Sequence, residues 1–168
     1  RAAFAEQIQA LTDGGVDLIV LETFGDLAEL ATAFDAAADC GLPVVACLSL
    51  SAGKELRTMM GQTIDDFVSW AERAQPAALG LNCGVDAAMM RIAAARISRM
   101  TALPLWVKPN AGMPRISGGG AIYPEGPEEF AAHVVKMIEG GARFAGGCCG
   151  TSPAHIKALR IARDSLPA

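Results

Sequence analysis

Apolar positions along this chain alternate between two rhythms. Residues 1–13 place Phe4, Ile8 and Leu11 on one face at helical spacing, and Gly14-Gly15 stops that helix. An unbroken apolar run, VDLIVLETF at 16–24, then reads as a buried strand. Asp26 is placed to cap a helix over 27–39, ending at Cys40-Gly41. PVVACLSL at 43–50 is a second strand. Thr63, with Asp66 three positions later, forms a capping-box pattern for a helix to about residue 74. AALGLNC at 77–83 is the third strand, and Asp86 caps an Ala-rich helix to about residue 100. LPLWVKPN at 103–110 is the fourth. Residues 111–126 form a Gly-rich loop carrying Gly118-Gly119-Gly120, expected to be flexible because it lacks the Lys and following helix start of a phosphate-binding loop. Pro127 suits the first turn of a helix to Glu139; ARFAGGCC at 142–149 is the fifth strand, and Pro153 opens a closing helix.

Five nearly continuous apolar strands, each followed by a helix, predict an α/β fold with a parallel sheet covered by helices. Two architectures satisfy that pattern: a doubly wound open sheet, or a slice of a (β/α)8 TIM barrel. The barrel is favoured because chemistry-bearing residues end several different strands: Glu22, Cys83, Asn110, Cys148 and Cys149. No GxGxxG follows the first strand, which weighs against a dinucleotide site.

Composition narrows the class. The 168 residues are 52% apolar and 19% charged, as a globular chain with a real core requires. Aromatics are only 5%, so that core is built from Ala, Val, Leu and Ile. A net charge of −4 argues against nucleic acid or an anionic membrane as partner. No apolar run approaches the roughly 18 residues that span a bilayer, and no signal peptide opens the chain, so a cytoplasmic, soluble protein is expected. Five cysteines, two of them adjacent, fit poorly with a disulfide framework. The chain opens at Arg1, already inside a helix, which hints at preceding sequence.

Cys83 ends one strand in Leu81-Asn82-Cys83-Gly84, and Cys148-Cys149 end another in Gly146-Gly147-Cys148-Cys149-Gly150-Thr151. In a parallel barrel those ends meet on one rim, so three thiolates can converge. Three protein ligands with a fourth position open characterise catalytic zinc, and a thiolate-rich set suits Zn²⁺ over hard cations. The flanking glycines allow the close backbone approach that consecutive ligands need. The competing reading is that strand cysteines are small buried hydrophobes, the commonest fate of a free Cys.

The wording around these residues is distinctive. LNCG, PNAG at 109–112 and GGCCGTSP at 146–153, with LETF at 21–24, resemble the homocysteine S-methyltransferase family, which includes the homocysteine-binding domain of cobalamin-dependent methionine synthase. The resemblance runs the length of the chain in the correct order. It implies a zinc-dependent methyl transfer to the thiol of homocysteine, forming methionine, with Zn²⁺ held by Cys83, Cys148 and Cys149. It also implies that Glu22 holds the substrate's amino group and that Asn110 can occupy the open metal position before substrate arrives. It places the strands as the fourth to eighth of an incomplete barrel, residues 1–168 being the C-terminal portion of one homocysteine-binding domain. The expected partners are then homocysteine, a methyl donor, and a missing N-terminal barrel segment or another chain supplying it.

Relatives use three donors: methylcobalamin charged from a folate and bound by other domains, S-methylmethionine, or betaine. A quaternary ammonium favours an aromatic cage, and this chain has one Tyr, with Thr23 where betaine enzymes have Tyr after the substrate-binding acid. The PNAG and GGCCGT wording stands closer to the methionine synthase group. Alternatives are an S-methylmethionine- or betaine-type enzyme, a non-catalytic zinc-binding fragment, and a barrel lyase, the last disfavoured because Lys108 is the only strand lysine near a rim.

Other residues receive structural readings. Cys40 and Cys47 match no motif and are expected to pack. His133 and His155 end no strand and are read as surface or structural. Met59-Met60 and Met89-Met90 are expected to fill core. Asn82 beside Cys83 is a candidate for orienting the ligand loop, and Thr23 and Thr151 for donating hydrogen bonds.

Overall fold

The computed structural model describes residues 1–166 other than 52 and 54. Its elements run α1 (Ala2–Asp13), β1 (Ile19–Phe24), α2 (Leu27–Ala36), β2 (Val44–Leu48), α3 (Ile64–Ala74), β3 (Ala78–Asp86), α4 (Ala87–Ile97), β4 (Leu105–Asn110), β5 (Arg115–Ser117), β6 (Gly120–Ile122), α5 (Pro127–Glu139), β7 (Ala142–Ala145) and α6 (Pro153–Asp164). The expected helix starts hold because their caps form. Asp26 accepts from the Ala28 amide, Asp86 from the Met89 amide, and Thr63 and Asp66 close a reciprocal capping box.

The strand order decides the architecture. β1, β2, β3, β4 and β7 lie side by side in chain order, every pair parallel. A doubly wound sheet would reverse its order at a switch point, and this sheet has none. It is a barrel segment. Among the described residues β1 pairs only with β2 and β7 only with β4, so both sheet edges are open.

The pleat sends alternate residues to two faces. Ile19 and Leu21, Val44, Ala46 and Leu48, Leu79 and Leu81, and Leu105 and Val107 enter one large core with the inward stripes of the helices. Val20, Val45, Cys47, Ala78 and Trp106 cluster on the opposite, concave face. Small residues leave that face room: a Cβ added to Gly80 would stand 2.1 Å from the Cys47 Sγ.

Two local expectations change, and one is refined. The Gly-rich stretch contains an ordered hairpin, β5 paired antiparallel with β6, not a structureless loop. Gly118 and Gly119 both take positive φ (57° and 82°), which a two-residue turn matching strand twist demands. Met59 and Met60 do not fill core; they are 83% and 68% exposed, in the segment between β2 and α3, whereas Met90 is buried. His155 is structural, and buried. Its Nδ1 accepts from the Ser152 amide at the start of α6, which leaves the proton on Nε2 to bond the Glu125 carbonyl at 3.0 Å. Cys47 packs as expected, and Cys40 lies partly buried against the main core.

Candidate metal and substrate site

Two irregularities at the strand ends build the site. The β3–β4 register shifts between Asn82 and Asp86, and there Cys83 takes φ 57° and Gly84 φ 72°. A bulge of this kind re-aims a side chain at a barrel rim. Gly84 has no alternative residue, because a Cβ would stand 2.0 Å from the Leu50 carbonyl oxygen. The β1–β2 register shifts likewise between Leu21 and Phe24, where Thr23 takes φ 68°.

Asn82 ties the two irregularities together. Fully buried, it accepts from the Thr23 amide and donates to the Thr23 hydroxyl, both at 2.7 Å. Its amide also lies 3.9 Å from the Cys148 Sγ. Thr23 therefore serves the scaffold through Asn82.

The adjacent cysteines sit just past β7, clamped to the end of β4. The Cys148 amide donates to the Pro109 carbonyl at 2.8 Å, and the Ala111 amide donates to the Cys149 carbonyl at 2.9 Å. Between them the Asn110 side-chain oxygen accepts from the Cys149 amide at 3.1 Å. Thr151 turns its hydroxyl back to the Cys148 carbonyl at 2.7 Å.

The result is one cluster. The three Sγ atoms of Cys83, Cys148 and Cys149 lie within 4.8 Å of one another, with Cys83 and Cys149 at 3.6 Å. Thiolates around a tetrahedral ion at about 2.3 Å per bond stand roughly 3.8 Å apart, so the cluster fits a metal ion with little adjustment. Burial, opposed by the Gly84 amide and reinforced by Cys149, pushes the Cys83 thiol up to about 11. That thiol does not ionise unaided at neutral pH. A cation among the three reverses that preference.

Tyr123 is a contributor that sequence reasoning passed over. A Cβ on Gly150 would stand 2.1 Å from its Cγ, so the ring lies against the backbone just after Cys149. Partial burial and the Cys149 thiol raise its phenol above the ordinary value. Its being the chain's one tyrosine was the only available signal.

Glu22 lies on the concave face of β1. Its two carboxylate oxygens each accept from the Lys108 Nζ at 2.8 Å, across the strands between them. Burial pushes the Cys47 thiol below them up to about 12, with Glu22 adding to the rise and Lys108 opposing it. Cys40, Cys47, His133 and His155 stand outside the three-thiol cluster.

The family model for homocysteine S-methyltransferase matches residues 1–163. The chain belongs to that family. Methionine synthase of Mycobacterium tuberculosis (strain ATCC 25618 / H37Rv) is 34% identical over 169 residues, covering 96% of this chain. Methionine synthase of Mycobacterium leprae (strain TN) is 31% identical over 167 residues. The apo form of the homocysteine methyltransferase MmuM from Escherichia coli superposes with a TM-score of 0.75 at 28% identity, over 96% of this chain and 56% of that one. The chain spans 14% of the length of those methionine synthases. Its fold is a partial barrel, with the strand-end cysteines on its rim. No helix among the described residues is long and apolar enough to cross a membrane.

Proposed function

We propose that residues 1–168 are the C-terminal portion of one homocysteine-binding barrel domain, and that the whole barrel transfers a methyl group to the thiol of homocysteine to give methionine. The convergence of Cys83, Cys148 and Cys149 within 4.8 Å carries this reading. Three soft donors with Cys149 facing solvent suit Zn²⁺ and leave room for one more ligand. The existence of a metallated form of MmuM, which superposes at a TM-score of 0.73, is consistent with a metal-binding member of this fold. Bound there, zinc supplies Lewis acidity that favours the thiolate over the thiol at neutral pH.

The chain's own residues do the rest. Asn82 and Asn110 fix the two ligand-bearing segments from within, one through Thr23 and the other through the Cys149 amide. Should Asn110 take the open metal position before substrate, it would exchange that amide bond for the ion. Glu22 offers a carboxylate to the substrate ammonium, the interaction it already makes with the ammonium of Lys108. Holding both ends of a short substrate converts a bimolecular encounter into an oriented one.

The donor reading follows the methionine synthase relatives: methylcobalamin, or a folate-derived methyl group, presented by other domains. Thr23 stands where betaine enzymes carry a tyrosine, and its hydroxyl is taken up by Asn82, which weighs against an aromatic cage for betaine there. The test combines metal content, a Co²⁺ substitution and turnover. Reduced protein should take up about one ion per chain with thiolate-to-metal absorption, and homocysteine should change that absorption. Supplied with the N-terminal barrel strands and each donor in turn, it should form methionine. Metal uptake unchanged in Cys83→Ala, or a Co²⁺ spectrum indifferent to homocysteine, overturns the proposal.

A further inference from the structure

A crevice between the starts of α4 and α5 is lined by none of the three clustered cysteines and plays no part in the reading above. We propose that it is a second metal site, which takes a divalent cation of the Mn²⁺ class on the carboxylates of Glu125 and Glu129 and the imidazole of His133, with Asp86 facing them.

Glu125 is a sheltered acid that lacks a partner. It is 9% exposed, and its Oε1 is buried with no hydrogen-bond partner among the described residues. Turning out to water is hindered, because its backbone is held on both sides. Its amide donates to the Ala111 carbonyl at 3.1 Å, and its carbonyl accepts from the His155 Nε2 at 3.0 Å. A Cβ on Gly112 would stand 2.9 Å from the Pro124 Cδ and 3.3 Å from the Glu125 Cβ, so the two stretches press together here. A buried carboxylate with an idle oxygen is costly unless a proton or a cation meets it. Burial raises this carboxyl above its ordinary value; His133 opposes the rise, and Glu129 and Asp86 add to it.

The neighbours supply a ligand set. Glu125, Glu129 and His133 recur at every fourth position, the spacing that stacks side chains on one helix face. Glu129 and His133 belong to α5, and Glu125 stands just before it. All three line the same crevice, of about 440 Å³, with Asp86, whose Oδ1 caps α4 and whose other oxygen is left over. Three carboxylates meet a single guanidinium there, that of Arg115 on the exposed β5. Acids at helix starts answer the helix dipole, which accounts for Asp86 and Glu129. It does not account for a Glu125 oxygen buried without a donor. Carboxylates with one imidazole suit ions such as Mn²⁺, whereas the thiol cluster suits softer ones. Glu129 is exposed, so water can complete the coordination. An ion held there would tie the stalk of the β5–β6 hairpin to α5, two residues beyond Tyr123.

The test is titration of Mn²⁺ into reduced, chelator-treated full chain, with free Mn²⁺ read by electron paramagnetic resonance and the melting temperature read alongside. Wild type should bind about one Mn²⁺ per chain and melt higher with it, as a ligand of the folded state alone requires. Glu125→Leu keeps the position filled and drops the idle carboxyl, so it should fold; it should bind Mn²⁺ about tenfold more weakly or worse and lose the melting shift. Glu129→Gln and His133→Ala, both on the solvent side of α5, should each weaken binding as well, and they decide the matter if Glu125→Leu does not fold. Cys149→Ser should leave Mn²⁺ binding unchanged, which separates this site from the thiols. Absence of Mn²⁺ binding in wild type would overturn the proposal, since a proton then suffices for Glu125. Binding unchanged in Glu125→Leu, or unchanged in both α5 variants, would mark only scattered surface carboxylates and overturn it too, as would binding lost in Cys149→Ser.

Discussion

The side-chain amide of Asn82 closes a two-bond ring with the backbone amide and hydroxyl of Thr23, each bond 2.7 Å long, and so pins the rim of β1 to the rim of β3. Both residues flanking this ring do chemistry in the proposed site, Glu22 before Thr23 and Cys83 after Asn82.

Removing the ring should therefore act on metal and stability together. Asn82→Ala leaves the Thr23 amide without its acceptor in a strained backbone, a loss of about 1–3 kcal/mol in urea unfolding. Outer-sphere partners of metal ligands typically govern affinity by about 10- to 100-fold, and a chelator competition should show a loss in that range. Asn82→Ala protein with native zinc affinity would confine Asn82 to holding β1.

Glu22→Ala should separate substrate binding from metal binding. Homocysteine affinity is expected to fall by about 1.5–3 kcal/mol, the scale of a charge-assisted hydrogen bond, while zinc content stays at the wild-type value. Titration of both ligands checks this, and an unaltered homocysteine affinity would remove Glu22 from the site.

The thiols predict a pH dependence of the metal-free, reduced protein. Cys47 and Cys83 are raised above the ordinary 9.0, to about 12 and about 11. The folded chain thus holds protons that the unfolded chain releases. Their contribution is complete below pH 9 and is lost as pH rises through the folded values, so stability should decline from pH 9 up to about 12. Buried Cys47 sets the larger share, about 1.4 kcal/mol per pH unit at most. Urea midpoints across this window should flatten in Cys47→Ala. Zinc uptake has the opposite sign, strengthening as pH rises because the ligands must lose protons to bind.

The open edges make a prediction about assembly. β1 (Ile19–Phe24) and β7 (Ala142–Ala145) are short, contain no proline and pair on one side only among the described residues. Unpaired edges of this kind recruit other strands. The 168-residue chain alone should self-associate in light scattering and show no methyl transfer, and co-expression with a segment supplying three further barrel strands should restore both solubility and turnover. A monodisperse, active chain by itself would contradict the proposed need for those strands.

The order of elements was legible in the sequence because local signals agree there. Asp26, Thr63 with Asp66, and Asp86 announce helix starts through bonds to amides within three residues, and nothing distant can override them. The hairpin at Arg115–Ile122 was missed because its strands are three residues long and exposed, giving no alternation to read. Met59 and Met60 were misplaced because composition says what a side chain prefers, not whether a neighbour exists to cover it.

By itself, then, the sequence determined the succession of the five parallel strands and their helices, the candidate ligands Cys83, Cys148 and Cys149, and the family wording around them. The tertiary structure decided the rest. That the sheet is a barrel segment depends on which strands are neighbours, a matter of long-range pairing that spacing leaves open. That the three thiols share one place depends on a bulge turning Cys83 to φ 57° and on β4 gripping residues 148–149. The Glu22–Lys108 pair joins residues 86 apart in the chain, and only the curvature of the sheet over Cys47 and Gly80 brings a carboxylate and an ammonium to 2.8 Å.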